Sequence, residues 1–415
     1  MQKDLLMHIL LVHQNFAAID EPGGTRHHEM ARYLTHLGHR VTVITSPVSY
    51  LTGTAEKRQS HWIERQEQDG ATILRAYTYP ALHRSFIHRV LSFSSFMVSS
   101  FFAGVQVKEV DLVWGTSPPI FQGLSAWALA RLKKAPFLFE VRDLWPAFAV
   151  QVGVLRQPIL IRASEWLERF LYRQAERVIV NSPGFIRHVE THGARRVELV
   201  PNGADLSMFD PQADGADFRK EHGLQGKFIA LYAGAHGMSN DLGVLLEAAA
   251  LLKEYSHIAI VLLGDGKEKA ALQRQAGEMG LNNLYFIPPI PKTKMGPALA
   301  AADACIAILK PIPLYATVYP NKVFDYMAAG RPVILAIEGV IREVIEQAGA
   351  GIPVPPGNPQ AIAEAILSLA QELHTGQEMG NNGRQYLQDH FNRPALAKRL
   401  SEVFQDALYA APMRK

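Results

Sequence analysis

Apolar residues in this chain gather in short, dense runs separated by longer stretches of helical spacing. HILLVHQ (8–14), RVTVITS (40–46), DLVWGTS (111–117), PFLFEVR (136–142) and RVIVNS (177–182) have strand length. Continuous rather than alternating apolarity is the mark of strands buried on both faces, as in parallel sheets. A glycine-rich turn at Glu21–Gly24 leads into TRHHEMARYLTHLG, Gly38 closes that helix, and the next strand follows at once. Strand, turn, helix and strand make a parallel βαβ unit, which is right-handed. The plan then repeats with FIALYAG (228–234), IAIVLLGDG (258–266), NLYFIPP (283–289), ACIAILK (304–310) and PVILAI (332–337). VPNGADLSMFDPQADGAD (200–217), rich in Pro, Gly and Asp, separates the halves. The pattern predicts an α/β protein of two Rossmann-like, doubly wound parallel-sheet domains, residues 1–203 and 204–392. A last amphipathic helix, 393–410, carries Leu396, Leu400, Val403, Phe404 and Leu408 on one face; it either caps its own domain or crosses back to the first.

Composition narrows the function classes. With 415 residues, two domains are the expectation. Forty-two basic and 39 acidic side chains leave a net charge of +3, too even for a nucleic-acid binder. Sixteen histidines are present, but neither HExxH nor a Cys/His cluster at metal-ligand spacing is read. The single cysteine, Cys305, excludes an internal disulfide, fits a reducing compartment, and lies in an apolar run that reads as core. The first apolar stretch is too short for a secretory leader, and no run of about 18 apolar residues suggests a membrane span. A cytoplasmic protein is the expectation.

Open α/β sheets bind ligands beyond the carboxyl ends of their strands, where helix N-termini favour phosphate. Both halves carry glycines there: Gly23 and Gly24 in the first, Gly234, Gly237, Gly264 and Gly266 in the second. Each equally makes a tight turn. GxGxxG followed by an acid about 20 residues on is absent, as is GxxxxGK[ST], so neither a nicotinamide enzyme nor a P-loop NTPase is supported.

Residues 320–357 read PNKVFDYMAAGRPVILAIEGVIREVIEQAGAGIPVPPG. This resembles the nucleotide-sugar site of retaining glycosyltransferases of the GT-B fold, family four: an acid, an AAG turn, a PV strand, an acidic helix and a VPPG loop. PGGTRHHEMARYLTHLGHRVTVIT, VIVNSPGFIRHV, VELVPNGADLSMF, LYAGAHGMSNDLGVLLEAAALL and VLLGDGKEKAAL extend the resemblance over almost the whole chain. EVRDLWP (140–146) and YATVYPNKVFDYMA (315–328) look most like transferases of bacterial O-antigen and capsule assembly that add N-acetylated deoxy-sugars such as N-acetyl-fucosamine.

The resemblance implies a donor nucleotide-sugar, UDP-linked, held across a cleft, with no cofactor and no metal. Asp325 falls where the family places an acid on the ribose hydroxyls. Its usual partner acid eight positions earlier is Thr317 here, so the transferred sugar is held differently. The turn after the first strand of the second domain lacks the family's arginine and lysine, which makes Lys322 the leading cation for the diphosphate; His236 and Asn240 are weaker candidates. Pro320, Asn321 and the backbone of Thr317–Lys322 complete the donor set with Gly23, Gly24, Gly234 and Gly237. Arg142 and Asp143 stand where many members carry a histidine, Asp143 either contacting sugar or acceptor or capping its turn; Arg26 opens the first helix beside the donor and acceptor.

Residues 83–106, HRSFIHRVLSFSSFMVSSFFAGVQ, combine phenylalanines with Arg84, His88 and Arg89. A basic, aromatic helix suits a lipid headgroup layer, with Arg84, Arg89, Phe93 and Phe96 as anchors, or is an ordinary buried helix. The membrane reading implies a peripheral position on the cytoplasmic membrane face and a lipid-linked or saccharide acceptor. Two rival functions stay open: a GT-B sugar-nucleotide epimerase, and a non-catalytic sugar-nucleotide-binding subunit of a glycosylation complex.

Overall fold

The computed structural model describes residues 6–21, 23–48, 61–80, 84–210 and 212–410; His83 and the side chain of Phe86, both in the expected membrane segment, lie outside them. The chain forms two compact units. Of the described residues, one takes in 6–18, 23–201 and 394–410, the other 19–21 and 202–393.

The first unit is built on an eight-stranded sheet. Its strands are β1 (His8–Val12), β2 (Arg40–Thr45), β3 (Ile63–Gln68), β4 (Ala71–Ala76), β5 (Leu112–Ser117), β6 (Phe137–Val141), β7 (Arg177–Val180) and β8 (Val197–Leu199). They run in the order β3-β4-β2-β1-β5-β6-β7-β8, all parallel except β3 against β4. The second unit has six parallel strands, β9 (Phe228–Ala233), β10 (Ile258–Leu263), β11 (Leu284–Ile287), β12 (Ala304–Ile308), β13 (Val333–Ala336) and β14 (Gly351–Pro353), ordered β11-β10-β9-β12-β13-β14. Two parallel-sheet α/β domains are the fold that the apolar runs predict.

Four strands escaped that reading: β3, β4, β8 and β14. β3 is IERQEQ, too polar to look like sheet; it is an edge strand, where charge is protective. It turns into β4 through Asp69 and Gly70, both at positive φ (48° and 81°), the geometry of a tight hairpin. β8 and β14 are three-residue edge strands.

Apolar residues of the terminal helix, Arg393–Ala410, complete the first unit's core. Leu396, Leu400, Val403 and Phe404 are buried with Leu11, Trp114, Leu138 and Ile179. Phe404 meets Trp114 edge to face at 5.4 Å, and Ser401 Oγ hydrogen-bonds His39 Nε2 at 2.7 Å. Cys305 is buried in the second unit's core, where burial pushes its thiol well above the ordinary range.

Phe404→Ala leaves a cavity under the first sheet. Such truncations cost about 3–5 kcal/mol, so the variant should unfold at a clearly lower urea midpoint. An unchanged first transition would mean that the helix adds nothing to that core.

Candidate functional site

Strand order locates the binding ends of both sheets. In the first, the chain winds from β1 outward to β2, then returns to the other side of β1 at β5. In the second it winds from β9 to β10 and β11, then returns beside β9 at β12. Such reversals part the loops and open a crevice beyond the strand ends. The loops that bound these crevices are therefore those following β1 and β5, and those following β9 and β12.

In the second unit these loops interlock through glycine. Gly264 has φ 149°, and a Cβ there would stand 1.9 Å from the carbonyl oxygen of Gly234, so no other residue fits. His236 N–H donates to the Asp265 carbonyl (2.8 Å) and Glu268 N–H to the His236 carbonyl (3.0 Å). The imidazole of His236 is fully buried, and neither ring nitrogen has a hydrogen-bond partner among the described residues. Burial, helped by Lys269 and Lys322, lowers it to about 4, so it is neutral at pH 7.

Lys322 lies in the first turn of the helix Asn321–Ala328, which follows β12. Its Nζ stands 3.9 Å from the centroid of the Tyr232 ring and 3.4 Å from Asn240 Oδ1. Among the described residues no carboxylate pairs with it. Burial brings this half-buried ammonium down to about 7. A Cβ at Gly234 would come within 2.8 Å of that nitrogen, so the glycine clears its path. Ser239 ties the two loops together, accepting from Tyr315 Oη (2.5 Å) and, through its carbonyl, from Lys310 N–H (3.0 Å).

Asp325 sits one turn further along the helix. Its Oδ1 is 2.5 Å from Lys292 Nζ, and Oδ2 accepts from Asn321 Nδ2 at 3.5 Å. A carboxylate expected to be open to sugar hydroxyls is thus already in an ion pair, whose cation comes from 33 positions upstream and was not read from the sequence. Thr317 closes its own turn on the Leu314 carbonyl (2.6 Å); Pro320 is the N-cap residue, and Asn321 Oδ1 accepts from Arg393 Nη2 (3.2 Å). Gly237 lies in the loop with His236 and Asn240.

In the first unit a buried charge cluster occupies the switch point. Glu140, at the end of β6, is fully buried. Its Oε1 accepts from Arg26 Nε (3.0 Å) and its Oε2 from His27 Nε2 (2.8 Å). Arg26 spends its other nitrogens on the carbonyls of Pro201 (2.7 Å) and Val200 (2.8 Å). Burial alone would raise the Glu140 carboxyl; the cluster of His27, Arg26 and Arg142 outweighs it and holds the group well below the carboxylate range. Burial lowers His27 to about 4 despite Glu140, so a neutral imidazole donates to a carboxylate. His27 stacks on His13 at 4.0 Å, and His13 Nδ1 bonds Thr116 Oγ1 at 2.8 Å.

Arg26 is thereby corrected. It was expected to face the acceptor or membrane, but its guanidinium is buried and committed to Glu140 and two carbonyls. Arg142 bonds the carbonyls of Ser117 (3.4 Å) and Pro118 (2.9 Å) at the end of β5, so it holds that loop. Asp143 is exposed at its surface, yet dense protein around its carboxyl raises it to about 6 against the pull of Arg142. Gly23, at φ 154°, and Gly24, with open space where a Cβ would lie, precede the first helix.

The membrane anchors are also corrected. Phe96 is 0% exposed, and Phe93 is half-buried against Phe121 (6.2 Å); both face inward from the helix Phe86–Gln106. Arg84 is exposed and Arg89 half-buried. The outer stripe of that helix is instead Ile87, Leu91, Val98, Phe102 and Val105, at helical spacing.

Similarity to known proteins agrees with this geometry. Residues 23–203 match the family "Glycosyl transferase 4-like domain", and residues 227–372 match "Glycosyl transferases group 1". The chain belongs to the GT-B glycosyltransferases of group 1. It is 27% identical over 321 residues, 75% of its length and 78% of the other's, to the putative colanic acid biosynthesis glycosyl transferase WcaI of Escherichia coli K12. Among solved structures it resembles sucrose-phosphate synthase of Thermosynechococcus elongatus (TM-score 0.79, 20% identity, 98% and 100% of the two chains). It also resembles Anabaena HepE in complex with UDP-glucose (TM-score 0.73, 17% identity, 96% and 100%).

The His27–Glu140 contact predicts the direction of acid sensitivity. His27 titrates lower in the fold than in the free chain, so the unfolded chain takes the proton first, and stability falls as pH drops from 6.5 toward 4. By pH 5 the loss from this group is about 2 kcal/mol. Glu140 is held low, so its contribution persists through that window and fades only at lower pH. His27→Gln, which keeps an N–H for Glu140, should flatten the decline in urea midpoint between pH 6.5 and 5. An identical decline in the variant would assign it to other groups.

Proposed function

We propose that this chain transfers a sugar, an N-acetylated deoxy-sugar, from a UDP donor to a lipid-linked or saccharide acceptor in the synthesis of a bacterial surface polysaccharide, with retention and without a metal. The carrying observation is the pairing of Lys322, a cation with no carboxylate partner among the described residues, with the N-terminus of its own helix at the switch point of the second sheet. Both favour a diphosphate, and as the sugar leaves they stabilise the charge that develops on it. His236 offers a neutral donor and acceptor beside them. Asp143, raised to about 6, is suited to taking the acceptor's proton near neutral pH. The polysaccharide role is supported by the name of the colanic acid relative, and the UDP donor by the ligand of HepE.

Two tests follow. A UDP-sugar diphosphate keeps its charge between pH 6 and 9, whereas Lys322 loses its proton through about 7. Binding favours the protonated amine, so affinity measured by calorimetry should fall as pH rises above 7. Lys322→Met should remove that dependence and weaken binding at pH 6.5 by about ten- to a hundredfold, the worth of a charged hydrogen bond. No binding of any UDP-sugar sinks the donor assignment. Release of UDP without acceptor but with sugar interconversion would favour an epimerase, and no turnover a binding subunit.

The second test concerns the membrane, which we place on the helical layer formed by Phe86–Gln106, Phe121–Lys133 and Pro158–Gln174. These helices pack side by side, with Ser100 Oγ bonded to Ser125 Oγ (3.0 Å) and Trp127 against Phe170 (4.9 Å). Beyond the stripe already described, the layer exposes Leu132, Ile159 and Trp166. A cavity of about 390 Å³ beside them is lined by Arg131, Lys134, Arg173, Arg195 and Arg196, with Glu176 the one acid among its described lining residues. Apolar and basic groups on one surface suit an anionic bilayer face. Among the described residues no helix is long and apolar enough to cross a membrane. Leu91→Gln with Phe102→Ser should leave the fold intact and abolish sedimentation with anionic vesicles, since each large apolar side chain contributes about 1.5–3 kcal/mol. Undiminished vesicle binding by the double variant would reject this surface.

A further inference from the structure

The motif that the chemistry above leaves unused is a cluster in the first unit, Glu168, His188 and His192. Glu168 lies on the helix Pro158–Gln174. His188 lies on the helix Ile186–Thr191, and His192 is its C-cap residue, four positions on. One donor atom from each of the three lies within 4.8 Å of the others. We propose that these residues form a binding site for a borderline divalent cation of the zinc type, separate from the sugar-transfer groups.

The ligand set is the first argument. Two imidazoles and one carboxylate suit Zn²⁺ and its neighbours, and leave a position for water. His188 Nε2 and Glu168 Oε1 stand 2.9 Å apart. With metal–ligand lengths of about 2.1 Å, two donors at that separation subtend roughly 90° at an ion between them. Tetrahedral ligands at those lengths are roughly 3.4 Å apart, so the wider spread closes by a side-chain rotation of His192. That ring is half-buried and stacks on His188 at 3.9 Å and 15°.

The surrounding hydrogen bonds are the second argument. Metal ligands are commonly oriented by an outer shell of partners. Glu168 Oε1 also accepts from Tyr172 Oη at 2.9 Å, and His192 Nδ1 bonds the His188 carbonyl at 2.8 Å. A ring whose Nδ1–H is held by a carbonyl presents the lone pair of Nε2 to a ligand. Electrostatics is the third. Glu168 is 1% exposed, and among the described residues its ion-pair partner is His188. A divalent cation would compensate that buried carboxylate, while His188, 20% exposed at its side chain, gives the ion a way in. Occupancy joins two helices that flank β7, so its readout is stability.

Chelator-treated full-length protein titrated with Zn²⁺ should bind one equivalent and unfold at a higher temperature. Co²⁺ should give a visible ligand-field band. His188→Ala and His192→Gln should each weaken Zn²⁺ binding by at least about tenfold, as loss of a ligand requires, and abolish the Co²⁺ band. His374→Ala, at an exposed histidine paired with Glu378 (3.6 Å), should change neither. Circular dichroism of each variant separates lost binding from lost fold, and His192→Gln keeps a hydrogen-bonding side chain at the helix end that alanine removes. Absence of stoichiometric binding overturns the proposal, as does binding undiminished in folded His188→Ala and His192→Gln.

Discussion

The first unit depends on one buried carboxylate. Glu140 ends a core strand, fully enclosed, and an isolated charge in that position would be very costly. Arg26 and His27, adjacent on the first helix, supply four donors between them, two for Glu140 and two for the carbonyls of Val200 and Pro201 just past β8, so helix, sheet centre and connecting segment share one charge. Such a cluster adds little net stability over an apolar replacement, but losing one member leaves the others uncompensated. Its effect is positional. It sets the N-terminus of the first helix against the end of β6, from which Arg142 and Asp143 extend.

The second unit uses the opposite device. Its switch point holds a cation whose counter-charge is missing from the described residues, and glycines that bring backbone close around it. Asp325, a single turn away, does not neutralise Lys322 because Lys292 already occupies it. Two lysines near one acid leave one positive charge over, aligned with a helix N-terminus. The departure from the family pattern at Thr317 removes an acid from the same neighbourhood and leaves that surplus intact.

The sheets were legible because buried parallel strands are continuous apolar runs, and the switch-point glycines because turns punctuate them. What escaped was either polar or distant. β3 reads as loop because its side chains face water, although the Asp-Gly at its end was a usable hairpin signal. Arg26 reads as a surface cation because its partner is 114 positions away. Phe93 and Phe96 were singled out by residue type, whereas counting by 3.6 from Ile87 separates the outward stripe from the inward one. His188 and His192 carry a helical ligand spacing in plain view, but Glu168, 20 residues earlier, joins them only once two helices pack. Lys292 could not be assigned to Asp325 without the fold, since no spacing rule connects them.

The terminal helix has a consequence for the order in which the chain matures during synthesis. Trp114, Leu138 and Ile179 belong to the first unit, yet their cover is residues 394–410, which leave the ribosome after the whole second unit. Domains generally fold as they emerge. Here the second unit can close its core first, while the earlier one waits, its central aromatic surface open to water and to chaperones, for about 200 further residues of translation. The unit begun first is the one finished last.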